Sequence, residues 1–519
     1  MNIEEAMVDK FFDQLVSLEE GEARVKCRNR VRTIYDNLAK KAKRLRPENF
    51  VPLLVSKFRE PPKGVVLPPH VILHAIEANC SYHKEGYNEQ VTWGKVTEIL
   101  NIFLSEEFNP YLTYITSTNL NLFAQYMHRT QLDIQKTESS RKHFVRYWKL
   151  FAENVFTPKL FSNFENTYGI SVEKWFRYSF GAYAMLRNDL LISRDPIKIE
   201  KSLPFSNDDF QKYFDLSVLT REQLKQRYFE SRKNIDPEFY FLIPTCFLER
   251  PILQLSNNRL ISPIPELIFR HVGYGLYGLF ERLDKDGYYI GKSLQAYTHS
   301  VLQDLKIKKV LIDNNSLEKI AKGEKTCDYI LSTKHENILI ECKATIFKPN
   351  VLTQNAIAKH TSTTNICRGM DQIHKTLHQI DEGKFDSLSL DKKKPFIGII
   401  LTLGEIPEAN SDWYSEEIIP NNMMGKKLAN YDDASKLIVR KPLILSVNAL
   451  ENLITYMNNS NESLVSIYDQ KEKKGYSATG DWEIFLSHKL SDLESLVPLT
   501  FITSVMKEFD KRLGLKQKD

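Results

Sequence analysis

Ile338-Leu339-Ile340-Glu341-Cys342-Lys343-Ala344 is an apolar stretch interrupted by a carboxylate and an ammonium two positions apart. Its Ile and Leu neighbours are those of a strand covered on both faces. Side chains at i and i+2 of a strand share a face, so Glu341 and Lys343 project together while Ile338, Ile340 and Cys342 face the other way. Charges placed in such a strand are costly unless they are paired or used. The preceding apolar run, TCDYILS, supplies a third group by hairpin geometry. A turn on Lys334-His335-Glu336-Asn337 pairs Asp328 with Lys343 and Tyr329 with Cys342. Asp328 then lies diagonal to Glu341 on the same face, at roughly 7–8 Å. A slip of one residue would send Asp328 to the other face.

Working outward, the pattern predicts a helix over 288–305, then strands at KKVLIDN, TCDYILS and NILIECKATIF. A helix around MDQIHKTLHQI follows, then the turn-like DEGKFDS, strands at PFIGIILTL and KPLILSV, and the helix NALENLITYM. This order describes a compact α/β domain in which a helical crossover joins parallel strands. The polar run DQKEKKGYSATG reads as a loop or linker, and a last helical region is expected over 481–515. Residues 1 to about 260 read as mostly helical, with apolar residues at three- and four-residue spacing in TEILNIFLSEEF and RKHFVRYWKLFAENVF. The expected divisions are 1–262, 263–460 and 461–519, with the prolines of LISPIPELIFRHV marking the first join.

A chain of 519 residues is longer than one hydrophobic core usually grows, so a multidomain protein is expected. Six cysteines lie scattered with no CxxC pair, which argues against a disulfide framework or a structural zinc site. The start, MNIEEAMVDKFF, lacks the basic-then-apolar layout of a secretory signal, and no stretch reaches membrane-spanning length. A cytoplasmic protein with no membrane partner is therefore expected. The net charge of +5 is too small for a protein that coats nucleic acid, so any such surface must be local.

Two carboxylates with a nearby backbone carbonyl suit a hard ion such as Mg²⁺, which binds phosphate oxygens alongside protein ligands. Such an ion polarises a phosphodiester and lowers the pKa of an attacking water. Lys343 could orient that water or stabilise charge on the phosphate. Asp328 in TCDYIL and Glu341-Cys342-Lys343 in ILIECKA, with the helix GKSLQAYTHSVLQDL before and MDQIHKTLHQI after, resemble the PD-(D/E)xK nuclease superfamily. The resemblance covers roughly residues 285–460. It implies that the mostly α-helical N-terminal region, read from its periodicity, is followed by an α/β restriction-endonuclease-like domain, with a central mixed sheet flanked by helices. It further implies Mg²⁺, or Mn²⁺ in its place, held by Asp328, Glu341 and the backbone carbonyl of Cys342, with Lys343 as catalytic lysine. Gln372 matches a glutamine that several branches carry near the active site. Gln295 stands where many members have a metal-binding glutamate, and its amide oxygen is a candidate ligand without charge. The implied activity is DNA cleavage, in a family frequent in bacterial anti-phage defence. The alternative is a non-catalytic nucleic-acid-binding or assembly subunit that keeps the fold. The N-terminal region is expected to bind substrate, a trigger, a partner protein or a second copy of the chain.

Weaker signals have bland readings. GYGLYG at 273–278 matches a dinucleotide-loop pattern, but no strand precedes it and close helix packing is expected. His374 and His378 have metal-ligand spacing without the glutamate of a zinc protease motif. Residues 24–46 hold ten lysines and arginines and the single acid Asp36. Arg28, Arg32, Lys40, Lys43 and Arg44 are thus candidates for backbone-phosphate contact, or form a solvated face. RKHFVRYWK interleaves basic and aromatic residues, as in a bundle core and rim or in a stacking surface. Lys392, Lys393 and Lys394 precede a strand expected near the site and are further candidates for phosphate contact.

Overall fold

Phe396–Thr402 is buried at all seven positions, and Asn337–Lys343 at all but Lys343, as expected for strands covered on both faces. The structure, a computed structural model, describes residues 20–104, 140–152, 158–194, 207–235, 240, 243–346, 361–410, 414, 419, 437–473, 482–493 and 495–512. Among them the chain forms two units. The first takes the described residues up to 104 and those of Phe164–Gly278; the second takes the described residues of 140–163, of Leu279–Lys348 and from 361 on. The division thus falls at 278/279 rather than 262/263. The segment around 140–151 and the C-terminal helices Leu464–Lys473, Trp482–Ser491 and Thr500–Arg512 belong with the second unit. Multidomain α/β organisation, with two mixed sheets among many helices, is what the structure has. No described helix is long and apolar enough to cross a membrane.

The first unit is mostly helical, as its periodicity predicts, but it also carries a small sheet. Ile192–Ser193 (β1), Val218–Thr220 (β2), Ile252–Leu255 (β3) and Arg259–Ile261 (β4) lie in the order β1-β4-β3-β2, with β2 and β3 parallel. Strands of two to four residues are too short to show alternation, which is why the sequence read as helix throughout. The helix Pro69–Tyr82 is buried nearly all round and forms the centre of this core. Its Asn79 amide donates to the carbonyls of Ala42 and Leu45 at 3.3 and 2.9 Å, closing the C-terminal end of the helix Glu20–Ala42.

In the second unit, Lys309–Asp313 (β5), Tyr329–Thr333 (β6), Asn337–Lys343 (β7), Phe396–Thr402 (β8) and Val439–Ser446 (β9) form one sheet in sequential order. β5, β6 and β7 run antiparallel; β7, β8 and β9 run parallel. Gly398 and Pro442 explain an irregularity between β8 and β9. Proline offers no N–H to the ladder, and a Cβ on Gly398 would stand 3.3 Å from Pro442 Cβ and 3.0 Å from Ile373. The helices used below are Ser140–Phe151 (α1), Tyr288–Gln303 (α2), Thr361–Asp381 (α3) and Val447–Ser460 (α4). α3 is the expected crossover between β7 and β8. The helix Leu464–Lys473 takes in the first half of the run read as a loop, and residues 474–481 lie outside the described residues.

α1 is fixed to α4 by charge as well as by packing. Arg146 makes a two-pronged pair with buried Glu451 at 2.6 and 2.9 Å, and the Tyr297 hydroxyl donates to the same carboxylate at 2.7 Å. Trp148 packs edge-on against Phe509 at 5.5 Å. The basic-aromatic run RKHFVRYWK is therefore core and rim of this unit, since Phe144, Tyr147 and Trp148 are buried.

Candidate active site

Asp328 sits directly opposite Glu341 rather than diagonal to it. β6 and β7 pair Tyr329 with Ile340, and the Asp328 N–H donates to the Ile340 carbonyl at 3.0 Å. The shift from the expected register is two residues, so parity, and with it the shared face, survives. Its cause is a tighter turn. The Thr333 N–H donates to the Glu336 carbonyl at 2.9 Å, leaving only Lys334 and His335 at the tip. The buried Glu336 carboxylate fixes that closure by accepting from the Thr333 hydroxyl at 2.8 Å.

Each group of the trio is held from several sides. Asp328 Oδ2 accepts the Cys342 N–H at 2.7 Å, and Oδ1 accepts from Gln295 Nε2 on α2 at 2.5 Å. The Tyr329 hydroxyl donates to the Gln295 carbonyl at 2.8 Å, which locks that turn of α2. Lys343 Nζ donates to Glu341 Oε1 at 2.6 Å and to Gln372 Oε1 on α3 at 2.5 Å. Cys342 points the other way, its thiol 3.5 Å from Thr298 Oγ1 on α2. Strand parity thus separates the faces as the sequence implied: Glu341 and Lys343 toward α3, Cys342 toward α2.

Glu341 is 2% exposed and Asp328 5%. Glu341 Oε2 is buried with no hydrogen-bond partner among the described residues. Burial raises the pKa of the Glu341 carboxyl, Asp328 beside it raises it further, and Lys343 pulls in the opposite direction. Burial also raises Asp328, against the Cys342 N–H and the charges of Lys343 and Lys292. Burial lifts the Cys327 and Cys342 thiols far above their usual range, which removes them as nucleophiles.

These donors fit a hard divalent cation. A buried orphan carboxylate oxygen, a second carboxylate across the ladder and a backbone carbonyl are the ligands Mg²⁺ takes while keeping waters. In a strand the N–H and C=O of one residue point to the same side. Because the Cys342 N–H meets Asp328, the Cys342 carbonyl also points to the Asp328 side. Among the described residues no group of three or more His, Cys, Asp or Glu forms a metal cluster, so the protein part of the shell would be small. Gln295 offers Asp328 its N–H, so it steadies that carboxylate rather than presenting its oxygen as a further ligand. No family model, curated protein or solved structure gives a significant match to the chain.

The other candidates scatter. Lys392, Lys393 and Lys394 lead into β8, whose Phe396 pairs with Asn337, while Glu341 lies four residues further along β7. They stand about 13 Å or more from Glu341 along the strand, at the opposite end of the sheet. Lys392 pairs with Asp386 at 2.7 Å and Lys394 donates to the Thr333 carbonyl at 2.9 Å, so neither meets the trio. In the first unit the basic helix is partly neutralised: Lys41 pairs with Glu98 at 2.5 Å and Arg44 with Glu89 at 3.3 Å. Lys43 lies over the Tyr87 ring at 5.9 Å. Arg32 and Lys40 are exposed and Arg28 is half-buried. His378 pairs with Glu382 at 3.3 Å, and burial lowers the pKa of His374 to about 4. GYGLYG is helical, and a Cβ on Gly275 would stand 2.5 Å from His271 Nδ1, so close packing accounts for that glycine.

Two residues of α3 escaped the sequence reading. A Cβ on Gly369 would lie 3.3 Å from Lys343 Cε, so the missing side chain makes room for the lysine stem. Thr376 Oγ1 accepts the Cys327 N–H at 2.8 Å and so holds the segment entering Asp328. Their spacing from Gln372, three before and four after, is the available signal: the three share one helix face.

Proposed function

We propose that the chain is a Mg²⁺-dependent nuclease of the PD-(D/E)xK type, with a restriction-endonuclease-like second unit, that hydrolyses phosphodiester bonds in DNA. The observation that carries this reading is the orphaned, buried Glu341 Oε2 beside Asp328, with Lys343 held between Glu341 and Gln372. Two buried like charges with an unsatisfied oxygen are costly, and a cation relieves both problems. Asp328, Glu341 and the Cys342 carbonyl would hold the ion. When bound, Mg²⁺ or Mn²⁺ supplies Lewis-acid polarisation of the phosphate and a more acidic water. Lys343 places a positive charge where charge develops on the phosphate, and Gln372 fixes its direction. Gln295 and the Cys342 N–H keep Asp328 from turning away. A cytoplasmic role in bacterial anti-phage defence fits this activity, with the first unit binding DNA, a trigger or a partner protein. The test is cleavage of DNA by wild type and Asp328→Ala. Mg²⁺-dependent cleavage lost in the variant supports the reading, and equal cleavage by both overturns it.

One observation favours a second reading, a non-catalytic nucleic-acid-binding or assembly subunit. Gln295 donates to one oxygen of Asp328 and Lys343 to one of Glu341, so each carboxylate has a partner within the protein. Titration with Mn²⁺ separates the two: a scaffold shows no binding that depends on Glu341.

A further inference from the structure

The two helices that sandwich the trio run in the same sense along the sheet. α2 meets Asp328 through Gln295, and its last turn reaches the far end, where the Gln303 carbonyl accepts from Lys309 at 2.9 Å. Lys309 pairs with Thr333 at that far end. α3 meets Lys343 through Gln372 and then leads down to β8, which starts opposite Asn337. The N-terminal turns of both helices therefore rise past the edge of the sheet where Asp328, Glu341 and Lys343 lie. Each carries a cation one turn beyond its site glutamine: Lys292, three residues before Gln295, and Arg368, four before Gln372. Such spacings share a helix face. On the rise of a helix they stand about 4.5 and 6 Å further out. Lys292 is half-buried and Arg368 exposed, and neither has an ion-pair partner among the described residues. One further turn out on the α2 stripe, four residues before Lys292, Tyr288 is 61% exposed, a ring open to base stacking.

We propose that Lys292 and Arg368 bracket the site as the two backbone-phosphate contacts of a nucleic-acid strand laid across the end of the sheet. The assignment rests on the nuclease reading and deepens it by naming where the substrate lies. It also replaces Lys392, Lys393 and Lys394, which are at the wrong end. The two cations flank Asp328 and Lys343 from opposite faces of the sheet, so a strand touching both would carry an intervening phosphate over the trio. Phosphate contacts give affinity without sequence preference, and each one adds about 0.9 to the slope of log K against log salt for duplex DNA.

The experiment is binding of a fluorescent DNA duplex and of a matching single-stranded RNA by the full chain, with Ca²⁺ in place of Mg²⁺, across a salt series. The Lys292→Ala/Arg368→Ala variant should lose about 1.8 from the DNA slope. Lys292→Arg/Arg368→Lys, which keeps both charges, should hold the wild-type slope, as should Lys393→Ala. In turnover on the substrate the wild type cleaves, the alanine pair should raise KM. A wild-type slope in the alanine pair overturns the assignment even if the chain cuts DNA. A wild type that binds neither DNA nor RNA overturns the nuclease reading and this inference with it. A slope loss seen with RNA alone supports the two contacts and moves the substrate to RNA.

Discussion

Glu341→Gln should make the metal-free protein more stable while abolishing its response to Mg²⁺. Asp328 and Glu341 are opposed across the ladder, a pairing that sets Cβ atoms roughly 4.5–5.5 Å apart. Two unit charges about 5 Å apart at an effective dielectric near 20 repel by roughly 3 kcal/mol. Lys343 at 2.6 Å from Glu341 attracts it more strongly than that, and it is the loss of water on burial, added to the repulsion, that tips the sum against the charged carboxylate and raises its pKa. A net gain of about 1–2 kcal/mol is therefore expected when Glu341 becomes an uncharged amide of the same shape. For a unit of this size that is a rise in Tm of roughly 2–8 °C. Calorimetry in EDTA reads the gain. Repeating it in Mg²⁺ at about 100 times Kd should stabilise the wild type by about 2.7 kcal/mol, because the ion binds only the folded site. The variant should gain almost nothing from the ion. A Glu341→Gln protein less stable than wild type in EDTA, or equally stabilised by Mg²⁺, would refute the reasoning that these carboxylates are held under repulsion for a cation.

Gly369→Ala should lower kcat about tenfold with little change in KM, because the new methyl pushes against Lys343 Cε; steady-state kinetics on a cleaved substrate checks it. Arg146→Leu leaves Glu451 buried with its main partner gone and should cost about 3–5 kcal/mol in denaturant unfolding, whereas Arg146→Leu/Glu451→Leu should recover most of that loss. His271, bonded to Ser217 at 3.0 Å and packed on Trp175, is buried and its pKa is lowered to about 3. It is neutral when folded and charges on unfolding, so its stabilising share is present above the ordinary histidine pKa and is lost as pH falls toward 3. Denaturant titrations should show up to about 1.4 kcal/mol lost per pH unit through this range, with a smaller slope in His271→Gln.

The second unit was legible because its strands are long and apolar and its charges sit where strand parity makes them conspicuous. ILIECKA announces both a covered strand and a reason to carry Glu341 and Lys343, and the crossover helix follows from the spacing to PFIGIILTL. Register was less legible. Two turns of different length keep the same parity, and only the Thr333–Glu336 closure, backed by a buried Glu336, chooses between them. The placement of Lys392, Lys393 and Lys394 failed for a related reason. A parallel neighbour begins where its partner begins, so residues leading into β8 lie at the end of the sheet away from the close of β7. The short strands β1 to β4 and the joining of 140–163 to the second unit depend on tertiary partners, among them Glu451 for Arg146, that no local pattern records.

The proposed role of the trio is to cut phosphodiesters with the help of a divalent ion. The most direct measurement incubates the purified chain with plasmid, linear DNA and RNA, with and without Mg²⁺, beside Lys343→Ala. Cleavage should require Mg²⁺ and fall by at least a hundredfold in the variant, whose fold and metal binding persist. Cleavage that survives EDTA, or that Lys343→Ala performs as well as wild type, would contradict it.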